Sequence, residues 1–151
     1  MPDPIRVLVI DDEDHVRDIL SRWLAGEGYE CTKGACAEDA LAALEEQEFG
    51  LLVSDIMMPG MSGVELLDIV REKYPDMSVI MVTAVDDRRT AIRALEAGAF
   101  GYVIKPFDRN EILINVANAL ERRRLVLASQ EYEKWLEDEV RARTADVRHR
   151  E

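Results

Sequence analysis

Residues 7–20 read VLVIDDEDHVRDIL, an apolar run that stops at two neighbouring aspartates and continues into a patterned segment. A continuous apolar run bounded by polar residues has the character of a strand buried on both faces. Beyond it, Val16, Ile19, Leu20, Trp23 and Leu24 recur at i, i+3, i+4, i+7 and i+8, which places them on one face of a helix. A buried strand that passes through an acidic turn into an amphipathic helix is the opening of a parallel α/β unit. Asp11 and Asp12 then sit at the carboxyl end of the strand, the end at which such sheets form their sites.

The same alternation repeats along the chain. Strand-like runs occur at 51–53, 79–82 and 102–104, with a weaker one at 29–33. Helical spacing covers 37–47, 63–73 and 86–97 and resumes at 108. Gly26, Gly28, Pro75 and Gly98 supply the breaks. Five strands alternating with five helices predict a parallel α/β sheet, doubly wound by right-handed crossovers.

Composition narrows the function. A chain of 151 residues with 48% hydrophobic residues holds one ordinary core and an appendage. No apolar run approaches the roughly 18–20 residues of a membrane span, and the opening MPDPIRVLVI lacks the basic start and cleavage site of a secretory signal. The expectation is a cytoplasmic protein with no membrane partner. Cys31 and Cys36, spaced C-x4-C without a second pair, read as small packing residues, not as a zinc or disulfide framework. The net charge of −12 lies in residues 1–120, which hold 23 Asp+Glu against 11 Lys+Arg, whereas residues 121–151 hold 8 of each. So acidic a body argues against direct contact with nucleic acid. The basic ERRR at 121–124 reads as cations on a solvated helical turn.

Polar residues close the strand-like runs: Asp11 and Asp12 the first, Asp55 the third, Thr83 the fourth and Lys105 the fifth. Brought to one sheet edge, three carboxylates repel one another unless a cation lies among them. Mg2+ suits such oxygen ligands. Three carboxylates, one Mg2+ and the Lys105 ammonium sum to zero charge, which leaves the edge receptive to a phosphoryl group. Asp14 reads as a cap of the first helix and His15 as a solvated residue at its start.

Four motifs in order, DD at 11–12, SDIMMPGMSG at 54–63, TA at 83–84 and KPF at 105–107, resemble the receiver domain of two-component response regulators, with the chemotaxis regulator as a type example. The resemblance covers about residues 5–122. It implies a flavodoxin-like sheet in the order 2-1-3-4-5. It further implies that Asp55 is the phosphoacceptor, taking phosphoryl from a sensor histidine kinase or phosphotransfer protein. Asp11, Asp12, Asp55 and the backbone carbonyl of Met57 are implied Mg2+ ligands, Asp11 chiefly through water. Thr83 and Lys105 are the implied phosphoryl-binding pair and Thr83 and Tyr102 the implied switch. The peptide before Pro106 is expected to be cis. The resemblance implies that on phosphorylation Thr83 moves inward, Tyr102 turns in from the surface beside the small Ala84, and the face made by the fourth helix, fifth strand and fifth helix changes. By the same resemblance, Met57 and Val85 match the two positions that border the approach of hydrolytic water.

Such a domain signals and is not an enzyme. Two alternatives use the same residues. An aspartyl-phosphate phosphatase needs D-x-D after the first strand, which Asp12 and Asp14 offer, but the Gly-Thr that follows it there is missing. A receiver that is never phosphorylated would serve as an interaction module, yet its site positions are intact.

Residues 123–151 exceed what a 1–122 receiver needs. No Pro or Gly occurs after Asp108, so a helix reaching His149 would span about 60 Å. Leu125, Ala128, Tyr132 and Trp135 form one apolar seam, and Leu136, Val140 and Val147 form a second with shifted phase, as at a coiled-coil stutter. EDEVRARTADV at 137–147 resembles helical linkers that join receivers to output domains. The expectation is a parallel homodimer through this helix, in a piece of a longer protein that lacks its output domain.

Overall fold

The computed structural model describes residues 3–150, with side chains through position 143. Five strands alternate with five helices: β1 (Arg6–Ile10), α1 (Asp14–Gly26), β2 (Glu30–Gly34), α2 (Ala37–Glu46), β3 (Leu51–Ser54), α3 (Gly63–Lys73), β4 (Ser78–Thr83), α4 (Arg88–Glu96), β5 (Gly101–Ile104) and α5 (Arg109–Arg150). The strands form one parallel sheet in the order β2-β1-β3-β4-β5, as expected.

The apolar strands need cover on both sides, and successive side chains divide between two cores. Leu8, Ile10, Leu52, Val79 and Met81 face α2, α3 and α4, meeting Ala40, Leu44, Leu66, Leu67, Val70 and Ala94. Val7, Val9, Leu51, Val53, Ile80 and Val103 face α1 and α5, where Val16, Leu20, Leu24, Ile112, Val116 and Ala119 close the layer. Leu8, Leu52, Leu66 and Leu67 are fully buried. Each contributes about 2 kcal/mol relative to an exposed leucine.

Three local readings are corrected. Asp14 is not the cap of α1. The N-cap is Glu13, whose backbone N–H donates to Asp11 Oδ1 at 2.9 Å, while Asp14 is the first helical residue and ion-pairs with Arg17. α4 begins at Arg88, not at position 86, because Asp87 accepts from the Arg89 N–H at 3.2 Å and from Thr90 Oγ1 at 3.0 Å and so starts the helix as its cap. The arginines at 122 and 123 are more than solvated charges. The Arg122 guanidinium lies 5.8 Å from the Phe100 ring centroid, and Arg123 Nε donates to the Asp76 carbonyl at 3.1 Å; only Arg124 pairs locally, with Glu121. Ser78 Oγ also donates to the Ala119 carbonyl at 3.0 Å. Together these contacts tie α5 to the amino-terminal ends of β4 and β5.

Past Leu120, α5 continues as one helix without a break. Leu125, Tyr132, Trp135, Leu136 and Val140 are all exposed on it, and Tyr132 stacks on Trp135 with ring centroids 6.0 Å apart. The side chain of Val147, assigned to the second seam, lies outside the described residues. Among the described residues no helix is long and apolar enough to cross a membrane.

Candidate phosphoryl-accepting site

Strand register sets the height of the site residues. Ile10 is in register with Ser54, and Thr83 with Ile104, so Asp11, Asp55 and Lys105 leave their strands at one edge. Two backbone bonds fasten the edge: the Asp55 N–H donates to the Ile10 carbonyl at 3.0 Å, and the Lys105 N–H to the Thr83 carbonyl at 2.8 Å. Among the described residues the polar residues buried as a whole are Asp11, Ser54, Asp55 and Thr83, every one of them at this edge. Burial of polar groups is costly unless they are paired, so their gathering in one place marks the site.

The Lys105 ammonium occupies the centre. Nζ donates to Asp11 Oδ2 at 2.8 Å, to Asp55 Oδ2 at 2.9 Å and, more distantly, to Glu13 Oε1 at 3.4 Å. Burial alone would lower the lysine pKa. The hydrogen bonds to Asp11 and Asp55, and their charges, outweigh it and hold the ammonium well above the ordinary lysine range. For Asp11 burial is the largest influence and pushes its carboxyl up, against the opposing pull of Lys105 and of the Glu13 N–H. Met57 lies against the same group: its N–H donates to Asp55 Oδ1 at 3.1 Å, and its side chain is exposed.

Carboxylate oxygens of Asp11, Asp12, Glu13 and Asp55 all lie within 4.8 Å of one another. This hard-oxygen donor set fits a divalent cation of the Mg2+ type. Asp11, Asp12 and Asp55 were singled out in the sequence. Glu13 belongs to the same acidic run DDED, but no local pattern says which way a long side chain at a helix start will turn.

Thr83 and Tyr102 are joined through the loop after β4. Thr83 is fully buried and its Oγ1 accepts from the Val85 N–H at 3.3 Å. Tyr102 is half-buried, and its hydroxyl donates to the Val85 carbonyl at 2.7 Å, so it is held against the loop after β4 in this structure. The Lys105–Pro106 peptide is cis. His15 is solvated, 81% exposed at the side chain, 3.7 Å from Glu13. Below Asp55, the amino end of α3 approaches so closely that a Cβ on Gly63 would stand 2.1 Å from the Asp55 carbonyl oxygen.

A family model described as the response regulator receiver domain matches residues 7–117. The chain belongs to that family. This receiver is similar to the DNA-binding transcriptional regulator NtrC of Proteus hauseri, 41% identical over 114 residues that cover 76% of this chain and 24% of that protein. It is 38% identical over 112 residues to the response regulator protein FleR of Pseudomonas aeruginosa, covering 74% of this chain and 24% of that one. Among solved structures, a CheY-like receiver from Methanospirillum hungatei superposes with a TM-score of 0.77 at 33% identity, covering 80% of this chain and 97% of that one. NtrX of Brucella abortus gives 0.81 at 30% identity, covering 85% of this chain and 29% of that one. The receiver spans about a quarter of the length of the curated relatives it matches. It is a signalling module of the two-component type.

Proposed function

We propose that Asp55 accepts a phosphoryl group from the phosphohistidine of a sensor kinase or phosphotransfer protein, and that this changes the surface formed by α4, β5 and α5. The observation that carries the reading is the Lys105 ammonium bridging Asp11 and Asp55 within a group of four carboxylates. In the transfer an Asp55 oxygen forms the new P–O bond while the donor's P–N bond breaks, the imidazole leaving with the electron pair. Lys105 neutralises charge on the phosphoryl oxygens, so the chain's contribution is chiefly positioning and electrostatics. Asp11, Asp12, Asp55 and the Met57 carbonyl would hold Mg2+, which when bound offsets the negative charge of carboxylates and phosphoryl group. Thr83 takes a phosphoryl oxygen with its hydroxyl, giving up the Val85 N–H, and Val85 relays the change to Tyr102.

Residues 1–122 form the receiver and 123–151 a helical extension that joins a second copy in parallel and leads toward an output unit. The exposed Leu125, Tyr132, Trp135 and Leu136 support self-association. Since the NtrC relatives are DNA-binding regulators, an output unit of that kind would carry the DNA contact, which the acidic receiver does not.

Acetyl phosphate with Mg2+ tests the site. Intact mass should show one added phosphoryl group on the native chain and none on Asp55→Asn. Continuous release of inorganic phosphate would favour the phosphatase reading, and no labelling would favour an interaction module. Sedimentation should give a dimer for the full chain and a monomer for a chain ending at Arg122; a monomer in both removes the dimer.

A further inference from the structure

The backbone at Glu13 is fixed by the site itself, because Asp11 Oδ1 accepts its N–H at 2.9 Å. Residues at a helix N-cap commonly use the side chain to accept from the first turn. Glu13 makes no such bond. Its carboxylate turns back instead, with Oε1 3.4 Å from Lys105 Nζ and Oε2 3.7 Å from His15 Nε2. An ammonium has three hydrogens to give. Asp11, Asp55 and Glu13 are the three acceptors, and Glu13 alone among them is substantially exposed, at 49%. It is therefore the acceptor most easily displaced when another anion arrives.

Charge points the same way. Asp11, Asp12, Glu13 and Asp55 carry four negative charges against the single positive charge of Lys105. A divalent cation leaves this group one unit negative. Without Glu13 the sum would be zero, the balance best suited to an incoming phosphoryl anion.

We infer that Glu13 is a positioning residue of the phosphoryl-accepting site, holding the third hydrogen of Lys105 and adding a fourth carboxylate charge. It strengthens divalent-cation binding and slows entry of the phosphoryl group until its carboxylate is displaced from Lys105. The inference rests on the phosphoryl-accepting reading.

Calorimetric titration of Mg2+ into the metal-free full chain, compared with Glu13→Gln, Asp12→Asn and the surface control Glu96→Gln, tests the first half. Glu13→Gln should bind Mg2+ about three- to tenfold more weakly than native. The gap should shrink as salt rises from 0.1 to 1 M, because Glu13 is half in solvent. Glu96→Gln should match native, which separates a local effect from net charge. The second half is read by single-turnover labelling with acetyl phosphate at saturating Mg2+, where Glu13→Gln should label several-fold faster. An unchanged Mg2+ affinity or an unchanged labelling rate in Glu13→Gln overturns the inference. Failure of the underlying reading looks different: the native chain itself would neither bind Mg2+ more tightly than Asp12→Asn nor label.

Discussion

Tyr102 on β5 donates its hydroxyl hydrogen to the backbone carbonyl of Val85 at 2.7 Å, and the N–H of the same Val85 is held by Thr83 Oγ1 at 3.3 Å. One residue of the loop after β4 is thus gripped from the buried threonine on one side and from the aromatic ring on the other. Tyr102→Phe keeps the ring and removes the bond. It should cost about 1 kcal/mol in urea denaturation and speed amide hydrogen exchange in the loop at 84–87. An unchanged stability together with unchanged exchange would show that the bond does not hold the loop.

Gly63 is required by proximity and not by its backbone angles. A methyl group there would lie 2.1 Å from the Asp55 carbonyl oxygen and 2.8 Å from the Ile56 Cα, both backbone atoms that cannot rotate away. Gly63→Ala should therefore destabilise the domain by about 2 kcal/mol or more and displace Asp55. The combined readout is denaturation and acetyl phosphate labelling. Native values for both would mean that α3 shifts freely.

Asp11 carries a cost that a cation would relieve. Burial raises its pKa, so the folded chain holds the Asp11 proton more tightly than the unfolded chain does. That contribution to stability is present below the ordinary carboxylate range and is lost as pH rises through the raised value. Asp11→Asn escapes the loss. Without divalent ions at neutral pH it should melt above the native chain, each kcal/mol gained appearing as about 4 °C, and the gap should close as the solution is acidified toward the carboxylate range. Excess Mg2+ should reverse the order at neutral pH. A variant that melts lower than native in EDTA would contradict this account.

On the proposed reading, Met57 and Val85 would bear on how long a phosphoryl group stays on Asp55. Neither side chain can orient a water by strong hydrogen bonding, and that orientation is what hydrolysis needs. The label on the native chain should outlast that on the double variant Met57→Asn with Val85→Glu once the donor is removed. Equal or shorter lifetime in the native chain places the control elsewhere.

The order of the elements was open to the sequence because β1, β3 and β4 are covered on both faces, leaving runs such as VLVI with no polar interruption. The residues at the strand ends were legible for a related reason: an acid or a lysine placed just after such a run has few purely structural uses. What stayed hidden depends on partners distant in the chain. Glu13 meets Lys105 across 92 positions and Ser78 meets Ala119 across 41. Arg122 looked like a solvated cation because nothing near it in sequence announces Phe100. The start of α4 was misplaced because Asp86 and Asp87 are equally plausible caps as letters, and only the hydrogen bonds to Arg89 and Thr90 decide for Asp87.

Within one unbroken helix, α5 buries Ile112, Val116 and Ala119 in the core and exposes Leu136 and Val140 beyond it. It is thus a lever with its short arm inside the domain. From Leu120 to Val140 the long arm measures about 30 Å, so a tilt of about 5° at the fulcrum sweeps Val140 through roughly 2.6 Å. A repacking too small to alter the interior visibly would be displaced outward and enlarged. Anything joined to the far end would feel movement and not chemistry.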